Sequence, residues 1–290
     1  MFLKPYQPHE LHFAYCYRVY QRFRTHGCRP YLPLASLTRS ELDGLLRPYN
    51  IRVLESSSDA TDVLATLSLQ PFETISSAAD KLKGRVSKWL REELQLSQPA
   101  NLLSKGYFAS TIGKSRKVAV ENYLSAQSEH HGYAMRQLPP VFVDRYELGT
   151  EDLARISPKH AAVVAQFHLV MATSGRRGVL GSEEGRRIAA AWHRLQRTSR
   201  YALIKVSFVP DHAHVALRAH PAISPADIAI ALMNSAQEEI SGALIRARLE
   251  RLWQPSVYLG SYGDLASPQI RKYIENWGTF LRQDLLSQRA

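Results

Sequence analysis

The chain has 290 residues, 45% of them hydrophobic, enough to bury one large core or two ordinary ones. Its 37 Lys and Arg against 26 Asp and Glu leave a net charge of +11, with arginines such as Arg176-Arg177, Arg186-Arg187 and Arg194 to Arg200 spread through the chain; that points to a folded surface meeting a polyanion, most simply nucleic acid. Two cysteines, Cys16 and Cys28, without zinc-type spacing argue against a disulfide scaffold, and no apolar run reaches the roughly 18 residues that span a bilayer, so a soluble cytoplasmic protein with no membrane partner is expected.

Along the chain, the first half offers RTHGCRPYL at 24–32, SDATDV at 58–63, GYFASTIG at 106–113 and ENYLSAQ at 121–127. Residues 136–159 are irregular and Pro-interrupted and read as a linker. In the second half, VVAQFHLVMAT reads as a strand, and SEEGRRIAAAWHRLQ as a helix with a Ser N-cap and an acidic first turn. ALIKVSFV and HVALRAH flank Pro210-Asp211 as a hairpin. SPADIAIALMNSAQEEISGALIRARL reads as one long helix opened by Ser224-Pro225, VYLGSYG as a short strand, and SPQIRKYIENWGTFLRQ as a final helix.

The two halves repeat. RTHGCRPYL matches ATSGRRGVL at an offset of 148, SDATDV matches PDHAHV at 152, and GYFASTIG matches SVYLGSYG at 150, with ENYLSAQ and RKYIENW following at the same distance. The order of elements fits an α+β fold of two tandem ferredoxin-like (βαββαβ) domains with antiparallel sheets, each with an added Tyr-bearing helix, at 1–135 and 160–290.

His212 and His214 stand two apart on a predicted strand, so both imidazoles leave the same face and could grip a divalent cation. Tyr123 and Gln127 are an i, i+4 pair on one helix face; the second-half counterparts are Tyr273 and Trp277. By the 152 offset the first-half counterparts of the histidines are Ala60 and Asp62.

The run FVPDHAHVALRAHP, a helix, YLGSYG and a Tyr-bearing helix together resemble the single-tyrosine HUH transposases of insertion sequences and the REP-associated tyrosine transposases. That resemblance covers 160–280 and, in degenerate form, 10–130. It implies that two His and a Gln hold a divalent metal, and that a Tyr attacks single-stranded DNA, leaving a 5′-phosphotyrosine and a free 3′-OH; imidazole with oxygen ligation suits Mg²⁺ or Mn²⁺. It also implies a dimer in which one subunit's Tyr helix serves the other's His pair.

Carried over here, His212 and His214 would be metal ligands with Gln127, and Tyr123 the nucleophile, in one composite site of a monomer packed as a pseudo-dimer. An indole is only an N–H donor, so Trp277 cannot replace Gln127 as a ligand. Two alternatives stay open: a cis site using Tyr273, and an inactive hairpin-binding or regulatory protein. The DNA partner is expected to be single-stranded with hairpins, and Arg24, Arg29, Arg176 and Arg177 are candidates for its phosphates.

Overall fold

A computed structural model describes residues 4–97, 101–113, 141–246 and 248–263. The helices expected to carry Tyr123 and Tyr273 lie outside these residues.

The first half runs β1 (His12–Cys16), β2 (Arg18–Arg24), α1 (Arg39–Leu46), β3 (Arg52–Ser58), β4 (Asp62–Ser68), α2 (Ile75–Glu93) and β5 (Phe108–Ile112). Next come β6 (Phe142–Arg145) and α3 (Thr150–Ile156). The second half runs β7 (Ala162–Val164), β8 (Gln166–Thr173), α4 (Ser182–Gln196), β9 (Tyr201–Val209), β10 (His212–Ala219), α5 (Pro225–Glu239), α6 (Ser241–Arg246) and β11 (Trp253–Tyr262). One sheet has the order β3-β4-β2-β5-β7 and the other β1-β11-β8-β10-β9-β6. Within each, the strands β2 to β5 and β8 to β11 have the antiparallel βαββαβ arrangement expected.

Alternation decides which face is core. Phe167, Leu169 and Met171 on β8 and Ala213, Val215 and Leu217 on β10 pack against Ile188 and Trp192 of α4 and Ile228 and Leu232 of α5. Trp192 stacks on Phe208 with centroids 5.3 Å apart, and its indole N–H donates to the Leu232 carbonyl at 2.8 Å. The first sheet does the same with Val19, Val63, Ala65, Leu67, Leu82 and Val86, and both sets belong to one contiguous buried cluster. The opposite sheet faces hold His168, His212 and His214 in one half and Tyr20, Leu64 and Ile112 in the other.

Three local readings differ from the structure. Residues 142–145, expected to be irregular, pair antiparallel with β9 as a sheet edge, and 150–156 are helical. Helix α4 is capped by Gly181 rather than Ser182: its N–H donates to Glu184 Oε2 at 3.1 Å, and a Cβ at Gly181 would sit 2.8 Å from that oxygen. The long C-terminal helix breaks at Ile240, where the Arg187 guanidinium donates to the Glu239 carbonyl and closes the first segment.

The two sheets exchange strands. Each first strand is interrupted, at Tyr17 and at Ala165, and its outer part pairs parallel with the other half's last strand: β1 with β11 and β7 with β5. Two hydroxyls bracket the interruptions. Ser261 Oγ donates to the Ile112 carbonyl at 2.7 Å and accepts the Arg18 N–H at 2.8 Å; Thr111 Oγ1 donates to the Tyr262 carbonyl at 2.7 Å and accepts the Gln166 N–H at 2.8 Å. The helix starts are tied in the same reciprocal way, Ser76 N–H to the Pro221 carbonyl and Ala226 N–H to the Pro71 carbonyl.

A Cβ on Gly263 would lie 2.1 Å from the Thr111 carbonyl oxygen at this crossing, whereas one on Gly84, exposed on α2, would meet nothing within 4 Å. Gly263→Ala should therefore destabilise the protein by about 1–3 kcal/mol through forced backbone displacement. Gly84→Ala should stabilise it by roughly 0.5–1 kcal/mol through helix propensity. Urea unfolding midpoints of the two variants check this; a harmless Gly263→Ala would contradict the close approach.

Candidate active site

Strand period places His212 and His214 on the face of β10 turned away from α4 and α5, and both are buried, at 3% and 2% exposure. Pairing adds a third histidine. His214 faces Val170 of β8 and His168 faces Ala216, so His168 lies one row along on the neighbouring strand. His168 Nε2 is 3.0 Å from His214 Nδ1, with the rings stacked at 12°. His212 and His214 meet edge to face, centroids 4.9 Å apart.

The second contact of each ring fixes what it can offer. A carboxylate only accepts, so His212 Nδ1–H donates to Asp211 Oδ1 at 2.6 Å. Burial pushes the Asp211 carboxyl up, but the His212 hydrogen bond and the charges of His212 and Arg176 outweigh it and hold the group below its ordinary range. Arg176 Nη1 reaches Asp211 Oδ2 at 3.4 Å. Burial alone lowers His168 to about 4, so its ring is neutral near pH 7. With Nδ1 engaged on Asp211 and on His168, Nε2 is the nitrogen that His212 and His214 could each turn to a cation.

A carboxylate–imidazole pair of this kind is the usual support for a metal-ligating histidine. His212 has that support and His214 is held by the neutral His168 ring, and two imidazoles so placed suit a divalent cation that draws its further ligands elsewhere. Among the described residues, no group of three or more His, Cys, Asp or Glu could hold a metal ion. Gln127, Tyr123, Tyr273 and Trp277 all lie outside the described residues.

The register overturns the 152 offset. Arg24 faces Asp62 in the first sheet just as Ala172 faces His212 in the second, and Ser57 faces Leu64 as Ser207 faces His214. The counterparts of His212 and His214 are therefore Asp62 and Leu64, not Ala60 and Asp62, and Tyr20 stands in the place of His168. Leu64 has no lone pair. Asp62 is bound at 2.8 Å by the Nε of both Arg22 and Arg24.

Of the arginines read as phosphate candidates, Arg29 and Arg177 are exposed in the turns after β2 and β8, Arg24 is on Asp62, and Arg176 is on Asp211. The two turns share a left-handed residue pair, Gly27-Cys28 and Gly175-Arg176, with φ between 54° and 66°. His168, buried Lys205, which shares its face two strands away on β9, and Asp211, in the turn before β10, are site residues that sequence reasoning passed over. Strand pairing alone marks His168 and Lys205, whereas Asp211 directly precedes His212 in the chain. Among the described residues, no helix is long and apolar enough to cross a membrane.

The family profile described as "Transposase IS200 like" matches residues 35–127 and 162–277, well over half of the chain. No curated protein matches it. Among solved structures, the chain is similar to a Deinococcus radiodurans R1 protein described as a transposase candidate, at 23% identity over 41% of this chain and 95% of that one, with a TM-score of 0.35. A mutant chlorite dismutase from Candidatus Nitrospira defluvii aligns over 84% of this chain and 90% of its own at 13% identity, with a TM-score of 0.21. Neither superposition carries an argument about this chain.

Because His168 stays neutral in the folded chain down to about pH 4 and titrates near 6.5 when unfolded, the unfolded state binds the extra proton between those values. The associated stability is complete above about pH 6.5 and falls as pH drops toward 4. Urea midpoints between pH 7.5 and 5, measured in EDTA, should decline more steeply for the wild type than for His168→Phe; parallel curves would contradict the assignment.

Proposed function

The chain belongs to the IS200-like transposase family, and from that premise we propose that it nicks and rejoins single-stranded DNA beside hairpins, with one active site per chain. The carrying observation is the asymmetry of the two sheets: two supported imidazoles on one, Leu64 and an arginine-bound Asp62 at the matching places on the other.

In this reading His212 and His214 hold a divalent cation through Nε2 and Gln127 supplies the third ligand. Mg²⁺ or Mn²⁺, when bound, supplies Lewis-acid polarisation of the scissile phosphate. Asp211 and His168 keep the two rings in the tautomer and orientation that ligation needs. Tyr123 is the nucleophile: its oxygen forms the new P–O bond, the bond to the 3′ oxygen breaks, and that oxygen leaves as a 3′-OH after taking a proton. A phenol has a pKa of about 10, so its proton must be drawn away as the attack proceeds. The halves act as the two subunits of a fused pseudo-dimer, and the reciprocal strand exchange supports this arrangement. The chain then works as a monomer.

A labelled single-stranded hairpin oligonucleotide library should be cut with Mn²⁺ or Mg²⁺ and left intact in EDTA. His212→Ala should abolish cutting while binding persists, because phosphate contacts carry most of the affinity; full cutting by that variant would remove the metal-site assignment.

The nucleophile is tested separately. Tyr123→Phe keeps the ring but has no oxygen to attack phosphorus, so it should end cleavage and adduct formation, while Tyr273→Phe should leave both nearly unchanged. Mass spectrometry should place one adduct per chain on the Tyr123 peptide. An adduct on Tyr273 would establish a cis site instead, and binding without any adduct would establish a regulatory DNA-binding protein.

A further inference from the structure

The first-half counterpart of the histidine site has its own chemistry. Arg22 and Arg24 leave the same face of β2, and both place Nε 2.8 Å from the single oxygen Oδ1 of Asp62. Oδ2 of Asp62 accepts the Thr61 hydroxyl at 3.0 Å, and the Asp62 N–H donates to Asp59 Oδ1 at 2.8 Å, so the carboxylate is fixed in place. The Asp62 side chain is 5% exposed against 27% for Arg22 and 53% for Arg24. The anion is thus at the bottom and the two guanidinium groups stand between it and solvent. Arg22 also directly faces Phe108 on the paired strand β5, a residue 40% exposed whose ring lies edge-on to Tyr20 at 6.0 Å.

The corresponding residues of the second sheet, Val170 and Ala172, carry no charge, and a cation on His212 and His214 would add positive charge to that of Lys205 on the same face. In the first sheet the positive charge is built into the chain. Two guanidinium groups repel a divalent cation and match a phosphodiester, and an exposed aromatic beside them suits a neighbouring base.

We propose that Arg22 and Arg24, organised by buried Asp62 with Phe108 alongside, form a metal-independent anchor for the backbone of single-stranded DNA at the position equivalent to the histidine site. The inference rests on the reading that the chain acts on single-stranded DNA. It adds that the half without histidines contributes binding without metal.

The test is fluorescence anisotropy with a 5′-labelled single-stranded hairpin oligonucleotide in EDTA, across a salt series, using the full chain. Every phosphate that the protein ceases to neutralise lowers the slope of log K against log salt by about 0.7 for single strands. Arg24→Gln, which leaves Arg22 on Asp62, should lower the slope by about that amount. The triple variant Arg22→Gln, Arg24→Gln, Asp62→Asn, which leaves no buried charge behind, should lower it by about twice as much. Mn²⁺ binding by calorimetry should match the wild type in both variants, locating the loss in the first half. If the triple variant fails to fold, Arg24→Gln alone decides the matter. A wild type that binds while either folded variant keeps the wild-type slope and affinity overturns the anchor and leaves the nicking reading untouched. A wild type that binds no such DNA in EDTA overturns the anchor, and absence of binding with Mn²⁺ as well overturns the parent reading.

Discussion

The structure depends on a pair of hydroxyls at the place where the two sheets trade strands. A β-strand that leaves one sheet and enters another exposes backbone groups at the break, and buried backbone groups without partners are costly. Ser261 and Thr111 meet that cost reciprocally, each accepting the first N–H of the other half's inner strand and donating to a carbonyl of that same half's last strand. The close approach leaves no room for a Cβ at Gly263. Neither half is a self-contained sheet, because β1 completes the edge beside β11 and β7 the edge beside β5.

That reciprocity separates the fate of the two sites from the fate of the fold. The crossing uses the core strands of both halves equally, so both must keep their packing. The outward sheet faces are free of that demand. One keeps three histidines and an aspartate; the other carries Tyr20, Arg22, Arg24, Asp62 and Leu64 on the same backbone frame. In two identical subunits a change at one site would appear at both. A duplicated chain can alter one face alone, and a histidine pair and an arginine pair can then stand at equivalent positions.

The groups that support the two histidine rings follow the same geometry. Asp211 is in the turn that joins β9 to β10, so the residue that ends the turn also steers the first histidine of the strand. His168 reaches His214 from the adjacent antiparallel strand, and burial keeps it neutral. Arg176 extends the chain of contacts through Asp211 toward the exposed turn after β8, where Arg177 is also found.

Much was legible in the sequence because it depends on local rules. Apolar period and turn residues gave the β9–β10 hairpin around Pro210-Asp211 and the extent of α4, and strand alternation put His212 and His214 on one face. The glycine cap of α4 is a local contact, Glu184 of the helix's own first turn reaching back to the Gly181 N–H, whereas the break at Ile240 depends on Arg187 arriving from another helix. The same holds for the 142–145 strand, whose four residues are given a partner only by β9. The two-residue error in aligning the histidines with the first half has a sharper cause. Side chains on a strand repeat every two residues, so a slip of two leaves every residue on its own face and no hydrophobic pattern can detect it. The sequence by itself determined the repeat, the order of elements and the face on which the histidines stand. Tertiary structure alone decided the register, because interstrand hydrogen bonds pair Arg24 with Asp62 and Ala172 with His212, and with that register came His168, Asp62 and the exchanged strands.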